Sequence, residues 1–353
     1  MLMADILLID TNTTPFNEAF PVYPSGLDYL QSAVSDSGLG RPDILDLTRT
    51  GGLLNKNDPD ERRRKSLTLI KRSIEERDWN VIGLSLRNID STYPVGEGKR
   101  SLHYFLPDLK DYIDCIESVK KDETFLILGG TGFSLMSELF MKNRSDKCYG
   151  VVGPAEESLP RLIENLLNGV PCHGITRRKN HRIGKLQNRD LILEFLKIPV
   201  NENIFGIRTK IGCNQKCGYC PYPLINGPGH TLKHVNDVME EILLLKDLKQ
   251  ELDNHQEFRI MFADDIFNRP LDHAKDILKA VLGYDNLLDS RHAYLDPKSI
   301  DKEFIELIFE TGGWSRLIDS PGFQREYFFP LDIESGSPRI LKKTWLSDGW
   351  INT

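Results

Sequence analysis

The sequence predicts an α/β protein in which a doubly wound parallel sheet is followed by part of a β/α barrel. Short apolar runs alternate with amphipathic helical patterns along most of the chain, and this alternation is interrupted near the middle. With 353 residues the chain is long enough for two domains. We place the first domain at residues 1–168, a linker at 169–203 and the second domain at 204–353.

Composition and charge exclude several classes of protein. Hydrophobic residues make up 40% and charged residues 27%, as in a globular protein, and the net charge of −7 argues against a nucleic-acid or membrane surface. No apolar run approaches the roughly 20 residues of a membrane span, and residues 1–10 lack the features of a signal peptide. We therefore expect a cytoplasmic protein. Three of its six cysteines lie within eight positions, which indicates a metal site in a reducing compartment.

The first half of the chain predicts five buried strands with helices between them. The strands are 5–10, 43–47, 81–86, 125–128 and 149–152. The first helix has Leu27, Leu30 and Val34 on one face and ends near Gly38. Parallel strands need such crossovers, so we expect a Rossmann-like, flavodoxin-like sheet with ligands beyond the carboxyl ends of its strands.

The loops after these strands carry a recognisable set of residues. Ser85 follows the third strand, Gly129, Gly130 and Thr131 follow the fourth, and Gly153-Pro-Ala-Glu156 follows the fifth. A Gly-Gly pair lets the backbone pass close to a flat ligand, although an ordinary tight turn uses it too. Together these positions resemble the cobalamin-binding domain found ahead of many radical SAM domains. The resemblance implies that Ser85 and residues 129–131 contact cobalamin.

The sequence departs from that domain at one position. Many cobalamin domains have Asp-x-His-x-x-Gly after the first strand, and this histidine binds cobalt. The corresponding loop, 10–15, has no histidine, and His103 is the only one in residues 1–165. We predict that cobalamin binds without a protein histidine on cobalt. The alternative is a cobalamin-like fold that holds no ligand.

The predicted linker is rich in basic residues. A nucleic-acid contact is one interpretation, but without interleaved aromatic residues a solvated connector is favoured. A short apolar helix at 191–196 is expected to pack against one of the domains. The basic residues are Arg177, Arg178, Lys179, Arg182, Lys185 and Arg189.

The second domain opens with a strand that runs into a loop containing Cys213, Cys217 and Cys220. An extended chain would separate the first and last thiols by roughly 23 Å, so a shared site requires the loop to curl. Gly212 and Gly218 allow this curl. Three thiolates can hold three irons of a cubane and leave the fourth iron open. A Cys₃His zinc site with His230 or His234 as the fourth ligand is the alternative, although zinc sites usually separate their cysteine pairs by a longer gap.

This spacing after a strand, with the aromatic Tyr219 before the last cysteine, is identified as the signature of the radical S-adenosylmethionine (SAM) superfamily. The resemblance implies a [4Fe–4S] cluster on Cys213, Cys217 and Cys220. Its open iron would bind the amine and carboxylate of SAM, and one electron would release a 5′-deoxyadenosyl radical. Tyr219 would lie beside the adenine, although an aromatic packed on the barrel would look the same. The other cysteines, at positions 115, 148 and 172, are expected to be structural.

The rest of the chain has the β/α rhythm of a barrel, whose chemistry gathers at the carboxyl ends of the strands. The predicted helices begin near residues 235, 274 and 304. The predicted strands are 258–262, 292–295 and 328–333.

Two strand ends resemble positions of the superfamily that contact SAM. Asp264 and Asp265 follow the second strand, where a side chain lies near the methionine amine. A helix N-cap with solvated carboxylates is the alternative. Glu334 and Ser335 end the fourth strand and resemble a Gly-x-Glu-Ser segment that reaches the ribose or methionine, with Asp332 in place of the glycine. A strand-end carboxylate in water is the alternative.

About 20 residues follow the fourth predicted strand, whereas the radical SAM core usually has six β/α units. We therefore expect either a truncated gene product or a partner chain, or a second copy, that covers the open edge of the barrel.

The resemblance implies a cobalamin-dependent radical SAM methyltransferase that acts on an unactivated carbon or a phosphinate phosphorus of a small molecule. It also implies an electron donor such as a flavodoxin or ferredoxin. We expect the substrate to enter where the two domains meet. A rearrangement or oxidation with the same cofactors is one alternative, and a non-catalytic protein that binds a cluster or cobalamin is another.

Overall fold

A computed structural model describes most of the chain and divides it into two compact units. The first unit contains Met1–Asn188 and Lys197–Val200, and the second contains Arg189–Leu196 and Asn201–Thr353. The described residues are 3–11, 22–47, 59–87, 94–95, 103–177, 182–198, 202–215, 217, 220–227, 229–252, 257–284 and 290–311. Within them, no helix is both long and apolar enough to cross a bilayer.

The first unit alternates strands and helices, as its apolar pattern predicts. Its strands are β1 (Ile6–Asp10), β2 (Asp43–Asp46), β3 (Val81–Ser85), β4 (Pro94–Val95), β5 (His103–Tyr104), β6 (Phe125–Gly129), β7 (Cys148–Val152) and β8 (Ile175–Arg177). Its helices are α1 (Ser25–Asp36), α2 (Pro59–Glu75), α3 (Phe105–Val119), α4 (Gly130–Leu135), α5 (Ser137–Met141) and α6 (Ser158–Leu167).

Six strands form one parallel sheet in the order β2-β1-β3-β6-β7-β8. This is the flavodoxin-like order with one added strand, and its direction of winding reverses between β1 and β3. Asp10 and Ser85 are paired in register at the carboxyl ends of these two strands. The predicted doubly wound sheet is confirmed, and Ser85 lies at its topological switch point.

Both faces of the sheet are buried, which explains why its strands are continuous apolar runs. Ile6 and Leu8 of β1 face a core shared with α1 and α6. Leu7 and Ile9 face the opposite core, against α2 and α3.

The edge strand β8 was missed in the sequence analysis. It pairs with β7 through Gly150 and Ile175 and lies inside the segment assigned to a linker. Its three residues are half-buried or exposed and end in Arg177, so they lack the apolar signal of a buried strand.

The residues just before the second unit are held against α1 by a buried carboxylate. Asp28 is fully buried, and one of its oxygens lies 3.2 Å from the backbone nitrogens of both Gln187 and Asn188. Its other oxygen accepts the hydroxyl of Tyr23 at 2.8 Å. Asn188 also donates to Gln31 at 2.8 Å. This part of the basic segment is therefore packed and hydrogen-bonded.

The second unit contains three consecutive β/α repeats. Its strands are β9 (Glu202–Ile207), β10 (Lys210–Ile211), β11 (Thr231–Leu232), β12 (Glu257–Phe262) and β13 (Ser290–Ala293). Its helices are α7 (Arg189–Leu196), α8 (Tyr222–Asn226), α9 (Val235–Glu251), α10 (Leu271–Leu282) and α11 (Lys302–Thr311), with a 3-10 turn at Pro297–Ser299.

The strands β9, β12 and β13 are parallel and lie side by side in chain order, as in the first part of a β/α barrel. The predicted short helix α7 is confirmed, and its Phe195 ring packs edge-on to Phe205 of β9 with centroids 5.3 Å apart. The predicted fourth strand, 328–333, lies outside the described residues.

Candidate functional site

The cysteine loop, residues 212–220, lies between the two strands of a small antiparallel ribbon in the second unit. Lys210 pairs with Leu232 and Ile211 with Thr231, so β10 and β11 bring the two ends of the intervening segment together. The predicted curl of the loop therefore has a structural basis. It begins five residues after the last residue of β9, near the carboxyl end of the first barrel strand.

Gly212 is required at the start of this loop. Its φ is +89°, and a Cβ there would lie 2.4 Å from the carbonyl oxygen of Gly229. The Gly212 carbonyl oxygen is 3.1 Å from Nζ of Lys210 and 3.0 Å from Nδ1 of His230. The backbone just before Cys213 is therefore fixed from two sides.

The three thiols are neighbours in a partly buried environment. Cys213 is buried, whereas Cys217 and Cys220 are half-buried. The backbone nitrogen of Gln215 lies 3.5 Å from the Cys213 sulfur, and that of Cys220 donates to the Cys217 carbonyl at 3.1 Å. Burial raises the pKa of the Cys220 thiol, and the charges of Asp265, Cys217 and Cys213 raise this pKa further. Cys213 and Cys217 thus lie close enough to Cys220 for their charges to act on its thiol.

The zinc alternative uses a histidine as its fourth ligand. In the described part of the chain, no group of three or more His, Cys, Asp or Glu side chains is arranged to hold a metal ion. Zinc would need its ligands around a single centre, whereas three cysteines of a cubane would bind three different irons. The candidate zinc histidines have other partners: His230 meets Gly212, and His234 accepts the backbone N–H of Asn236 at the start of α9.

Asp264 follows β12 and faces inward rather than toward solvent. It is 5% exposed. One carboxylate oxygen accepts the backbone N–H groups of Thr209 at 2.8 Å and Lys210 at 3.0 Å, and the other accepts the Thr209 hydroxyl at 2.5 Å. The alternative of a solvated helix N-cap is therefore wrong for Asp264, because α10 begins only at Leu271.

Asp265, the next residue, lies near the Cys220 thiol. It is half-buried, and Nδ2 of Asn226 is 3.2 and 3.4 Å from its two oxygens. Its charge acts on both the Cys220 thiol and the His230 imidazole. Asp265 is thus a predicted carboxylate whose charge acts on a cysteine of the loop.

A second contact holds the middle of the cysteine loop, and it was missed in the sequence analysis. The Gln215 carboxamide oxygen, in the orientation that satisfies its neighbours, accepts from the Arg269 guanidinium at 2.7 to 2.8 Å. Arg269 also forms an ion pair with Asp296, which follows β13. Asn268 holds the segment after β13, because its Nδ2 donates to the Asp296 carbonyl at 2.8 Å. No spacing in the sequence marks these residues as partners.

In the first unit, the predicted ligand residues lie together at the carboxyl edge of the sheet. Ser85 and Gly129 are paired in register at the ends of β3 and β6, and the Ser85 carbonyl accepts the Thr11 hydroxyl at 2.8 Å. Thr131 lies in the first turn of α4.

The two glycines of this edge differ in their surroundings. Gly130 has a φ of +89°, and a Cβ there would lie 2.4 Å from the Leu86 carbonyl oxygen, so the fold itself requires this glycine. At Gly129 the nearest atom to an added Cβ is the Val151 carbonyl oxygen at 3.9 Å. A Cβ at Gly129 would therefore fit without a close contact.

Three predicted site residues, Tyr219, Glu334 and Ser335, lie outside the described residues. Their assignment to the nucleoside stays a prediction.

Comparison with known sequences gives partial matches, and no family model matches the chain. The ribosomal protein uS12 methylthiotransferase RimO of Hydrogenobaculum sp. (strain Y04AAS1) is 32% identical over 122 residues, which are 33% of this chain and 29% of that protein. RimO of Acetivibrio thermocellus is 24% identical over 170 residues, which are 46% of this chain and 34% of that protein. The chain thus matches about a third of the length of these relatives.

Comparison with solved structures covers most of the chain. The radical SAM methyltransferase TsrM from Kitasatospora setae, solved with cobalamin and a [4Fe–4S] cluster, matches 89% of this chain and 60% of its own, with a TM-score of 0.64 and 22% identity. The apo form of the cobalamin-dependent SAM radical enzyme OxsB matches 97% of this chain and 45% of its own, with a TM-score of 0.65 and 14% identity.

The chain therefore has the fold of cobalamin-dependent radical SAM enzymes. The resemblance predicted from the cysteine spacing and the loop pattern is confirmed at the level of the fold.

Proposed function

We propose that this chain binds a [4Fe–4S] cluster, SAM and cobalamin, and that it is a methyltransferase for a small molecule. The observation that carries the proposal is that Cys213, Cys217 and Cys220 lie between the paired strands β10 and β11, and that the charges of Cys213 and Cys217 act on the Cys220 thiol. In β/α barrels the chemistry lies at the carboxyl ends of the strands.

In this proposal the protein residues bind and orient the cofactors. Cys213, Cys217 and Cys220 hold the cluster, and the backbone N–H of Gln215 supports the first of these sulfurs. Asp265, half-buried beside Cys220, would face the amine of SAM. When bound, the cluster and SAM together supply a strongly oxidising carbon radical, and the protein shields it from water.

Cobalamin would lie at the switch point of the first unit. The register pairs Asp10 with Ser85 and Ser85 with Gly129, so the ends of β1, β3 and β6 form a contiguous edge. Sheets with this strand order bind ligands outside such an edge. The absence of a Cβ at Gly129 suits a flat macrocycle. The predicted absence of a histidine ligand rests on the 10–15 loop and stays part of the proposal.

Methyl transfer to a small molecule is supported by the breadth of the structural match. TsrM, a methyltransferase solved with tryptophan as substrate, matches 88% of this chain in that structure. The RimO matches cover at most 46% of the chain, so they support the radical SAM part more than an action on a ribosomal protein. Methylation of an unactivated carbon or a phosphinate phosphorus is the form that we propose.

The proposed cluster also implies an electron donor and a reducing cellular compartment. Reduction of the cluster requires a low-potential donor such as a flavodoxin or ferredoxin, and a reducing compartment such as the cytoplasm preserves it. A partner chain or second copy at the edge of the barrel also stays a prediction.

The proposal is tested by anaerobic turnover with SAM carrying an isotopic label in its methyl group. We expect 5′-deoxyadenosine and labelled product from the wild type, neither from Cys217→Ala, and both from the matched control Cys115→Ala. Deoxyadenosine with unlabelled product would favour a rearrangement or oxidation. An intact cluster that never cleaves SAM would favour a non-catalytic protein.

A further inference from the structure

Thr209, three residues before the cysteine loop, is buried and makes several hydrogen bonds. Its backbone N–H and its hydroxyl both donate to Asp264. The Thr209 carbonyl accepts the Lys233 N–H at 2.8 Å and lies 3.1 Å from Nε2 of His273. Thr209 has no exposed surface. The backbone at this point is therefore held by three separate segments of the chain.

The contact continues from Thr209 to the first cysteine. Lys210 is 2% exposed, donates its backbone N–H to Asp264, and reaches forward with Nζ to the Gly212 carbonyl. Gly212 in turn packs against Gly229. A continuous set of hydrogen bonds thus leads from Asp264 to the residue before Cys213.

We infer that Asp264 is a positioning residue for the cluster ligands. Its carboxylate fixes the path of residues 209–212, so that Cys213 is presented toward Cys217 and Cys220 before any iron is bound. Both of its oxygens accept hydrogen bonds from residues 209 and 210, whereas the two oxygens of the half-buried Asp265 share one amide nitrogen of Asn226, so we assign Asp265 as the carboxylate for a ligand. This inference rests on the proposed function, because it concerns how the proposed cluster is held.

The contacts of Asp264 favour an acidic residue at this position. Three donors converge on the carboxylate; burial raises the pKa of this carboxyl, and the Lys210 charge and the three hydrogen bonds oppose that shift. Charge-assisted hydrogen bonds are stronger than neutral ones, and unmade bonds to buried donors are costly. The carboxylate therefore selects one loop conformation over its alternatives.

The test compares iron retention in Asp264→Ala, Asp264→Asn and the wild type. After anaerobic reconstitution, the rate of iron release to a chelator is followed by absorption and iron assay, with the visible spectrum as a check on cluster type. Asp264→Ala is expected to release iron at least tenfold faster, which corresponds to about 1.4 kcal/mol. Asp264→Asn keeps an acceptor for the two backbone N–H groups, so its rate of iron release should lie between those of the wild type and Asp264→Ala.

The chain offers a closely matched control in the first unit. Asp28 is also a buried aspartate whose oxygens accept two consecutive backbone N–H groups and one hydroxyl. Asp28→Ala should lower stability without changing the rate of iron release. If it speeds release as much as Asp264→Ala, the effect is general destabilisation and the inference fails.

Two further outcomes separate this inference from the proposed function. Wild-type protein that binds no iron would overturn the cluster itself. Wild-type protein with a cluster, together with Asp264→Ala that keeps wild-type iron content and release, would overturn only the positioning role. If Asp264→Ala does not fold, Thr209→Val removes one of the same bonds and should still speed release; an unchanged rate there would overturn the inference.

Discussion

The Lys233 ammonium group lies 2.8 and 2.9 Å from the two carboxylate oxygens of Glu241, and both side chains are 1% exposed. Lys233 precedes α9, and its backbone N–H holds the Thr209 carbonyl, so this ion pair anchors the ribbon that carries the cysteine loop. A charge left alone at such a position is costly because no water can replace its partner.

Lys233→Met should therefore destabilise the second unit by roughly 3–5 kcal/mol, because Glu241 stays buried without its partner. The double variant Lys233→Met, Glu241→Leu removes both charges and should be markedly more stable than the single variant. Denaturant unfolding measures the unfolding free energy of the single and the double variant. Lys302→Met is the control, because its pair with Glu306 is exposed and such pairs contribute at most about 1 kcal/mol. Equal stability of the single and double variants would contradict this account.

The buried Asp28 makes the stability of the first unit depend on pH. Burial raises the pKa of its carboxyl, against the opposing effect of Tyr23, Gln187, Asn188 and Arg41. Between the unfolded pKa of about 3.9 and the raised folded pKa, the folded state binds more protons, so the unfolding free energy falls as pH rises. Asp28→Asn should abolish this slope. Unfolding curves across that pH window measure the difference, and identical slopes in both proteins would exclude Asp28 as its source.

The same side chain gives a prediction for stability at neutral pH. Asp28→Asn keeps an oxygen for the two backbone N–H groups without a buried charge, whereas Asp28→Ala leaves these donors unmatched. Each unmatched buried group costs roughly 1–3 kcal/mol, so the alanine variant should be the less stable. Thermal unfolding of the two variants ranks them, and the opposite order would show that the hydrogen bonds contribute little.

The two glycines after β6 should respond differently to alanine. Gly130→Ala places a Cβ against the Leu86 carbonyl at positive φ and should cost roughly 1–3 kcal/mol or more. Gly129→Ala meets no close atom and should change stability by less than about 1 kcal/mol. If cobalamin passes over Gly129, this second variant should still weaken cobalamin binding in an absorbance titration. Unchanged cobalamin binding would indicate that cobalamin does not contact Gly129.

Thiol reactivity distinguishes the structural cysteines. Cys148 is buried in β7, and burial raises the pKa of its thiol to about 12. Since the thiolate is the reactive form, alkylation of Cys148 at pH 8 should be at least about a hundredfold slower than alkylation of the half-buried Cys172. Peptide mapping of the native protein over time measures both rates. Comparable rates would contradict the buried placement of Cys148.

The sequence predicts those parts of the fold whose burial is uniform along an element. The strand β1 is buried on both faces, so Ile6 to Ile9 form an apolar run that is easily recognised. The strand β8 lies at an edge and ends in Arg177, so nothing in its three residues distinguishes it from a loop.

The candidate site could be predicted only as far as its local spacing allows. The three cysteines lie in one loop, and their pattern predicts a shared site without further information. The roles of Asp264 and Asp265 differ because one meets Thr209, 55 positions earlier in the chain, and the other meets Asn226. Adjacent residues in a sequence cannot show which of them points inward at the end of a strand. The link between Gln215 and Arg269 depends on tertiary contact in the same way.

We propose that Cys213, Cys217 and Cys220 hold an iron–sulfur cube with one open iron. Mössbauer and electron paramagnetic resonance spectroscopy of the anaerobically reconstituted protein test it most directly. We expect about four irons per chain as one [4Fe–4S] cluster, a signal of the reduced cluster that changes when SAM is added, and loss of the cluster in Cys217→Ala. Zinc in place of iron, or a cluster that persists in Cys217→Ala and whose spectrum is unaffected by SAM, would contradict the claim.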